Sequence, residues 1–473
     1  MTSRQLEATF VIGVSIAAGA IRLHNLGARS LWYDEAVLYW ISQGSIAEVI
    51  SQNAQINSAP PLYAIAINIL SHLGQSEIAL RSLSWLAGTL GVAAFYALSR
   101  QYVSVAAAMG ATLVALVSPA HIEYSQTLRE YSLTFLLASL ILYFHAKIIK
   151  HHSRWRILGG SLVLVLSIFV QYGLAILILA LTVALPLFGN GREHRRRVFR
   201  DWGISLAPAV LSVVGVFGLS LRSQLKSGGF VYLDYGYWDS ASRSIVRFLA
   251  EQSYDVIFFA FPATTLFALM LIAGSLGRLS DPSTRWPTIG LLVPFAFAAA
   301  LGVAGLYPYL GHRQIMYLLP LLYLFIAFGF SYLVQLDSRR ILISALLILM
   351  LGLGARKALD HLTYTGYQDM RSITEYLDSH VEGGDAIFVS GGAIPAFRYY
   401  YSPRVGMIEE AGRGEEWQDQ ILRLINAQVP IWVVIAQDGS PQTYTEFVGR
   451  QRPIEEVISG DQAWLYLAAY PSK

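Results

Sequence analysis

Cysteine is missing from all 473 residues. Its absence excludes disulfides, thiolate metal ligands and a cysteine nucleophile, while leaving the compartment open. Charge is scarce too: Asp, Glu, Lys and Arg make up 14% of the chain, against 55% hydrophobic residues. With a mean hydropathy of +0.48 such a chain cannot close into one soluble globule, and it reads as a polytopic membrane protein. No HExxH or similar ligand spacing occurs, no GK[ST] or GxGxxG pattern follows a strand, and there is no N-x-[ST] sequon. The repeats and mid-membrane charges expected of a transporter are not seen either.

What the chain does have is a series of apolar stretches. A spanning helix takes roughly 20 mostly apolar residues, and eleven stretches approach that length: 8–23, 79–99, 103–120, 131–147, 157–170, 172–189, 203–221, 256–275, 288–306, 315–335 and 341–355. The first contains Ala18-Gly19-Ala20, which resembles a signal-peptide cleavage site. We read it as a retained anchor, because the residues after it depend on membrane attachment for the role argued below. Charge divides the chain near Arg356: residues 1–356 carry 25 Lys+Arg against 15 Asp+Glu, and residues 357–473 carry 9 against 16. Two domains are therefore expected, 1–356 in the membrane and 357–473 outside it.

Basic residues cluster in four loops: Lys147 to Arg156, Arg192 to Arg200, Arg278 with Arg285, and Arg339 with Arg340. By the positive-inside bias these are cytoplasmic, a better account of the arginine-rich run than a nucleic-acid patch. His151-His152 lies in such a loop and reads as solvated. Residues 24–78 and everything beyond about 356 are then placed on the opposite, extracytoplasmic side.

The first outer segment opens with Leu31-Trp32-Tyr33-Asp34-Glu35-Ala36, two adjacent acids immediately after an apolar segment. Carboxylates are costly near hydrocarbon, so the pair is a functional candidate, although a solvated first turn of a surface helix would also favour acids. A Ser45-x-x-Glu48 capping pattern and Pro60-Pro61-Leu62-Tyr63 follow, suggesting short interfacial helices. The second outer loop carries Arg129, whose fork of donors suits a phosphate, or a salt bridge to Glu123 or Glu130. Gln171-Tyr172-Gly173 reads as a tight turn rather than a site. Residues 222–255, with Gly228-Gly229, Asp234 and Asp239, form a longer loop suited to covering a cavity, and Tyr307 to Gln314 brings Arg313 to an outer helix mouth.

These pieces in this order, with Glu77 to Leu83, Tyr124-Ser125-Gln126-Thr127-Leu128-Arg129-Glu130-Tyr131 and Tyr317-Leu318-Leu319-Pro320, resemble the bacterial branch of the protein O-mannosyltransferase superfamily, glycosyltransferase family 39 and its relatives. The resemblance covers most of residues 1–335. It implies a GT-C fold: a polytopic helical membrane body of about eleven spans with interfacial helices in the first outer loop. It also implies an inverting transfer of a sugar from a polyprenyl-phosphate donor to an acceptor hydroxyl on protein, lipid or glycan. Asp34 is then the expected general base and Glu35 its helper, with Arg129 and Arg313 as ligands of the donor phosphate. Tyr33, Tyr63, Tyr124, Gln126, Tyr131 and His312 are the expected substrate contacts. Relatives carry an acid where this chain has Thr127, a position for which Glu123 or Glu130 would have to substitute. A monophosphate leaving group needs no metal, and neither a metal nor a cofactor is expected. A lipid-linked sugar flippase, or a non-catalytic lipid-binding envelope protein, stays open as the alternative.

Beyond 357 the pattern is that of a small α/β domain. Helices are expected over 369–377 and near 415–427, with a turn at Gly383-Gly384-Asp385 and strands at 386–389, 431–435, 454–458 and 463–468. Gly391-Gly392 follows the first strand without the further residues of a phosphate loop. The domain would select the acceptor or cap the cavity.

Overall fold

The computed structural model describes residues 2–189, 191–226, 235–334, 340–364, 366–401, 406–412, 416–437 and 441–469. Gly228-Gly229, Asp234 and Arg339 lie outside the described residues. The chain separates into two compact units, and their boundaries interleave along the sequence. One comprises Met1–His24, Gly44–Gly74 and Ala79–His361; the other comprises Asn25–Gln43, Gln75–Ile78 and Leu362–Lys473.

The first unit is helical. Five of its described helices are long and apolar enough to cross a membrane: Arg4–Leu23, Glu77–Ser99, Tyr131–Lys150, Arg192–Lys226 and Arg285–Val303. Two further pairs qualify if each bent pair is one span, Val105–Leu116 with Pro119–Ser125 at 59° and Ile245–Ala260 with Thr264–Ser280 at 103°. Tyr172–Phe188 and Leu319–Val334 are shorter apolar helices. Apolar residues encircle Leu319–Val334, so it is buried on all sides from Leu319 to Phe330 and forms the centre of the core.

Inside a membrane, helix breaks need partners for the backbone groups they release. Here one side chain serves both bends. The Tyr323 hydroxyl lies 2.6 Å from Ser118 Oγ, at the first break, and 2.9 Å from the carbonyl of Ala260, at the second. Beside it, helices Thr264–Ser280 and Leu319–Val334 touch backbone to backbone. A Cβ on Gly274 would stand 2.5 Å from the Gly329 nitrogen, and one on Gly329 would stand 2.5 Å from the Met270 carbonyl oxygen. Small residues permit this approach, which replaces the hydrophobic drive that lipid does not provide.

The second unit contains a five-stranded sheet: β1 (Ala386–Val389), β2 (Met407–Glu410), β3 (Ile431–Ala436), β4 (Ile454–Ser459) and β5 (Ala463–Ala468), in the order β2-β1-β3-β5-β4. β1 pairs in parallel with β2 and β3, while β5 runs antiparallel to β3 and β4. Both central strands β1 and β3 are buried at every position, as continuous apolar runs require. Helices Met370–His380, Ile394–Tyr400, Glu416–Asn426 and Gln442–Gly449 complete the layer. This unit also contains the helix Tyr33–Ile41, which bears the acid pair.

Candidate functional site

In the helical unit, the residues expected to hold a phosphate converge on one aromatic ring. Tyr131 opens the helix Tyr131–Lys150 and is buried; the guanidinium carbons of Arg129 and Arg313 lie 5.6 and 5.7 Å from its ring centroid. Both are within the range at which a ring face attracts a cation. Arg129 Nε is 3.3 Å from a carboxylate oxygen of the buried Glu130, and Nη2 donates to Asn57 Oδ1 at 3.3 Å. The ion pair foreseen as one option for Arg129 is thus made.

Several contacts fix Arg129 from behind. Tyr63, on the helix Leu62–Ser71, shares a 2.6 Å hydrogen bond with Ser84 Oγ, which donates to the Arg129 carbonyl at 3.0 Å. Ser132 Oγ in turn donates to the Ser84 carbonyl. Tyr124 packs edge-on against Tyr131, with ring centroids 5.1 Å apart. Gln126 donates its amide to the carbonyls of Arg22 and His24, so it closes the end of the first helix. His312 sits beside Arg313 with Nδ1 3.0 Å from Gln314 Oε1. Thr127 hydrogen-bonds the Glu123 carbonyl of its own turn. Among the described residues no group of three His, Asp or Glu side chains is placed to hold a metal.

A cavity of about 20 Å³ opens beside this cluster, lined by Ser58, Arg129, Tyr131, Gln171, Tyr307 and Gln314 among others. That is room for about one water. Gln171 and Tyr172 were expected to form only a turn. They start the helix Tyr172–Ala184 and line the cavity, with Gln171 buried and its Nε2 3.4 Å from the Gln314 carbonyl. The signal was a polar residue in a long apolar run, which at membrane depth marks a candidate site.

In the second unit, Asp34 occupies the first turn of Tyr33–Ile41 and is half-buried, whereas the neighbouring Glu35 is 1% exposed. Glu35 turns back to its own helix start, where Oε2 accepts from the Trp32 N–H at 3.4 Å. Tyr33 is half-buried and gives its N–H to Gln368 Oε1 at 2.9 Å. Leu31 donates its N–H to the Tyr400 hydroxyl at 2.7 Å, and that hydroxyl donates to Glu77 Oε1 at 2.7 Å. Arg371 completes this chain by pairing with Glu77. Burial, reinforced by the Glu77 charge, pushes the Tyr400 phenol far above its usual range, so it stays protonated and keeps donating. Nothing in the sequence marked Gln368, Arg371 or Tyr400, which are ordinary polar residues of an α/β domain.

Comparison with known proteins bears on this arrangement. The model of the dolichyl-phosphate-mannose-protein mannosyltransferase family matches residues 58–220, a segment that contains Tyr63, Arg129 and Tyr131. Among solved structures, ArnT from Cupriavidus metallidurans bound to undecaprenyl phosphate aligns over 99% of each chain at 14% identity, with a TM-score of 0.64. Its apo form aligns over 97% of this chain and 98% of its own, at 15% identity and TM-score 0.61. The chain has the GT-C glycosyltransferase fold. A third GT-C structure, the Archaeoglobus fulgidus oligosaccharyltransferase with zinc and sulfate, covers 93% of this chain and 69% of its own, at 14% identity and TM-score 0.56. No curated protein sequence matches the chain. The GT-C likeness extends through the second unit, since the ArnT alignments run nearly end to end.

Proposed function

We propose that this protein is a glycosyltransferase that moves a sugar from a polyprenyl-phosphate donor to an acceptor hydroxyl, with inversion, on the extracytoplasmic face of a bacterial inner membrane. The observation that carries the reading is the pair of guanidiniums sharing the Tyr131 ring beside a buried cavity. Arg129 and Arg313 hold the donor phosphate and stabilise the charge that grows on it. The acceptor oxygen attacks the anomeric carbon, the carbon–oxygen bond to phosphate breaks, and polyprenyl phosphate leaves with the bonding pair. Asp34 takes the hydroxyl proton as general base. Glu35, buried against the backbone of the same helix, holds Asp34 in place. Tyr63 and Tyr124 set the shape of the arginine cluster, and Tyr33 and His312 border the substrates. The eleven-span topology, with residues 24–78 and the α/β domain outside the membrane, belongs to the same reading.

The test is a transfer assay on purified protein in nanodiscs with a panel of polyprenyl-phosphate sugars, following the free polyprenyl phosphate released. Wild type should release it with at least one donor. Asp34→Asn should lower the rate by about a hundredfold or more, the scale of a lost general base, while leaving elution and thermal stability unchanged. Full activity in Asp34→Asn would sink the assignment, and tight lipid binding without release in wild type would favour a carrier.

A further inference from the structure

Nine residues are too few for an isolated helix to be stable, so the helix that bears Asp34 depends on contacts from other parts of the chain. In the second unit it is gripped along its whole length by residues that lie more than 300 positions later. At its start, Gln368 Oε1 accepts the Tyr33 N–H and the Tyr400 hydroxyl accepts the Leu31 N–H. Just upstream, Ser30 Oγ donates to Asp369 and accepts the Arg371 N–H, while the Arg371 guanidinium reaches the carbonyls of Gly27 and Ala28. At its end, Trp40 Nε1 donates to the Pro395 carbonyl at 2.9 Å. Between these points Trp32 meets Tyr367 and Tyr39 meets Tyr399, both edge-on, with centroids 5.9 and 4.9 Å apart.

Two features show that this grip is built in. Gln368 has φ 45°, a left-handed conformation that is strained for a residue with a side chain, and it is 2% exposed. The strain is held by the Gln368 N–H to the Asp461 carbonyl at 2.8 Å and by Nε2 to Gln462 at 3.3 Å, both ahead of β5. Strained backbone of this kind persists only where its surroundings over-determine it, and here it aims an amide oxygen at the first free N–H of the acid-bearing helix. The second feature is the relay Leu31 N–H, Tyr400 hydroxyl, Glu77 and Arg371, which ties three separate segments of chain at one point.

We infer that the α/β domain is a working part of the enzyme, the holder of the general base, with Gln368 and Tyr400 as positioning residues that fix the start of the Asp34 helix. This rests on the reading of Asp34 as the base. A carboxylate displaced by about an ångström from its attack geometry costs on the order of a hundredfold in rate. Losing one of several holding contacts should therefore lower turnover while leaving donor binding alone.

The experiment uses the full chain in nanodiscs with two substitutions that spare the fold. Tyr400→Phe removes one oxygen, and Gln368→Gly removes the acceptor while relieving the left-handed strain. Each should lower kcat on the order of ten- to a hundredfold, leave the KM for the donor within about twofold, and raise hydrogen exchange in residues 31–36. Faster exchange with wild-type kcat would overturn the inference, as would no change in either. If Asp34→Asn is inactive while both variants run at full rate, only the inference falls. If wild type turns over no donor, the reading of Asp34 falls and the inference goes with it.

Discussion

Tyr131 shows how one side chain can serve two cations. Its ring lies under both guanidiniums, so it holds Arg129 and Arg313 in position without neutralising either. A carboxylate in its place would cancel charge that the proposed phosphate site relies on. Each ring–cation contact contributes about 0.5 to 2 kcal/mol depending on desolvation. Tyr131→Phe keeps the ring and should leave donor affinity within about threefold, whereas Tyr131→Leu should weaken it by about tenfold or more; titration with polyprenyl phosphate checks both. The arginines could be picked out from sequence because charge at a membrane helix mouth is rare. The ring between them was legible as a substrate contact through the resemblance, but its seat between the two arginines was not. Glu130 was legible as a partner by adjacency alone. Arg22 was not singled out at all, although it is fully buried and donates to Ser125 Oγ and the Leu116 carbonyl, with His121 Nδ1 2.8 Å away. A guanidinium only donates, so the histidine accepts there as the neutral ring.

At the scale of elements, the Gly274–Gly329 crossing joins two membrane helices at the closest approach backbones allow. Gly274→Leu should force them apart, and overpacking of this kind costs about 1–3 kcal/mol; thermal unfolding followed by size-exclusion loss in detergent would show it, with Gly13→Leu, which meets nothing within 4 Å, as the neutral control. Strands β1 and β3 were legible because buried apolar runs flanked by turn residues have few other readings. The edge strand β2, Met-Ile-Glu-Glu, was not, since its burial is partial and its pattern polar. The helix Ile394–Tyr400 was missed because Gly391-Gly392 drew attention to a loop, while Pro395 was in fact the first-turn proline of a helix. In the membrane, apolar windows located helices but not their bends. Residues 103–120 and 256–275 each cross a break, of 59° and 103° respectively, at Pro119 and Pro262, and the Tyr323 hydroxyl of a distant helix bonds at both.

For the whole molecule, a division near Arg356 follows the change in charge, whereas compactness follows a different line, because residues 25–43 and 75–78 fold with the C-terminal sheet. Composition reports where a segment is solvated, and it does not report which segment it pairs with. A chain ending at Thr363 would therefore lose more than a tail. It should still insert and keep its helical unit, yet release no polyprenyl phosphate, and residues 25–43 should exchange their amides freely; the same transfer and exchange measurements decide this.

The interleaved boundary also sets a timetable. Leu31 leaves the ribosome 369 residues before the tyrosine whose hydroxyl receives its N–H. At about 5–20 residues per second, the acid-bearing loop waits tens of seconds for its partner, with Leu31, Leu38 and Ile41, all buried in the finished protein, still uncovered. Until the sheet is made, that loop exposes apolar side chains that the finished protein covers. The second unit thus closes only after residues 362–469 are made, long after the loop that it receives.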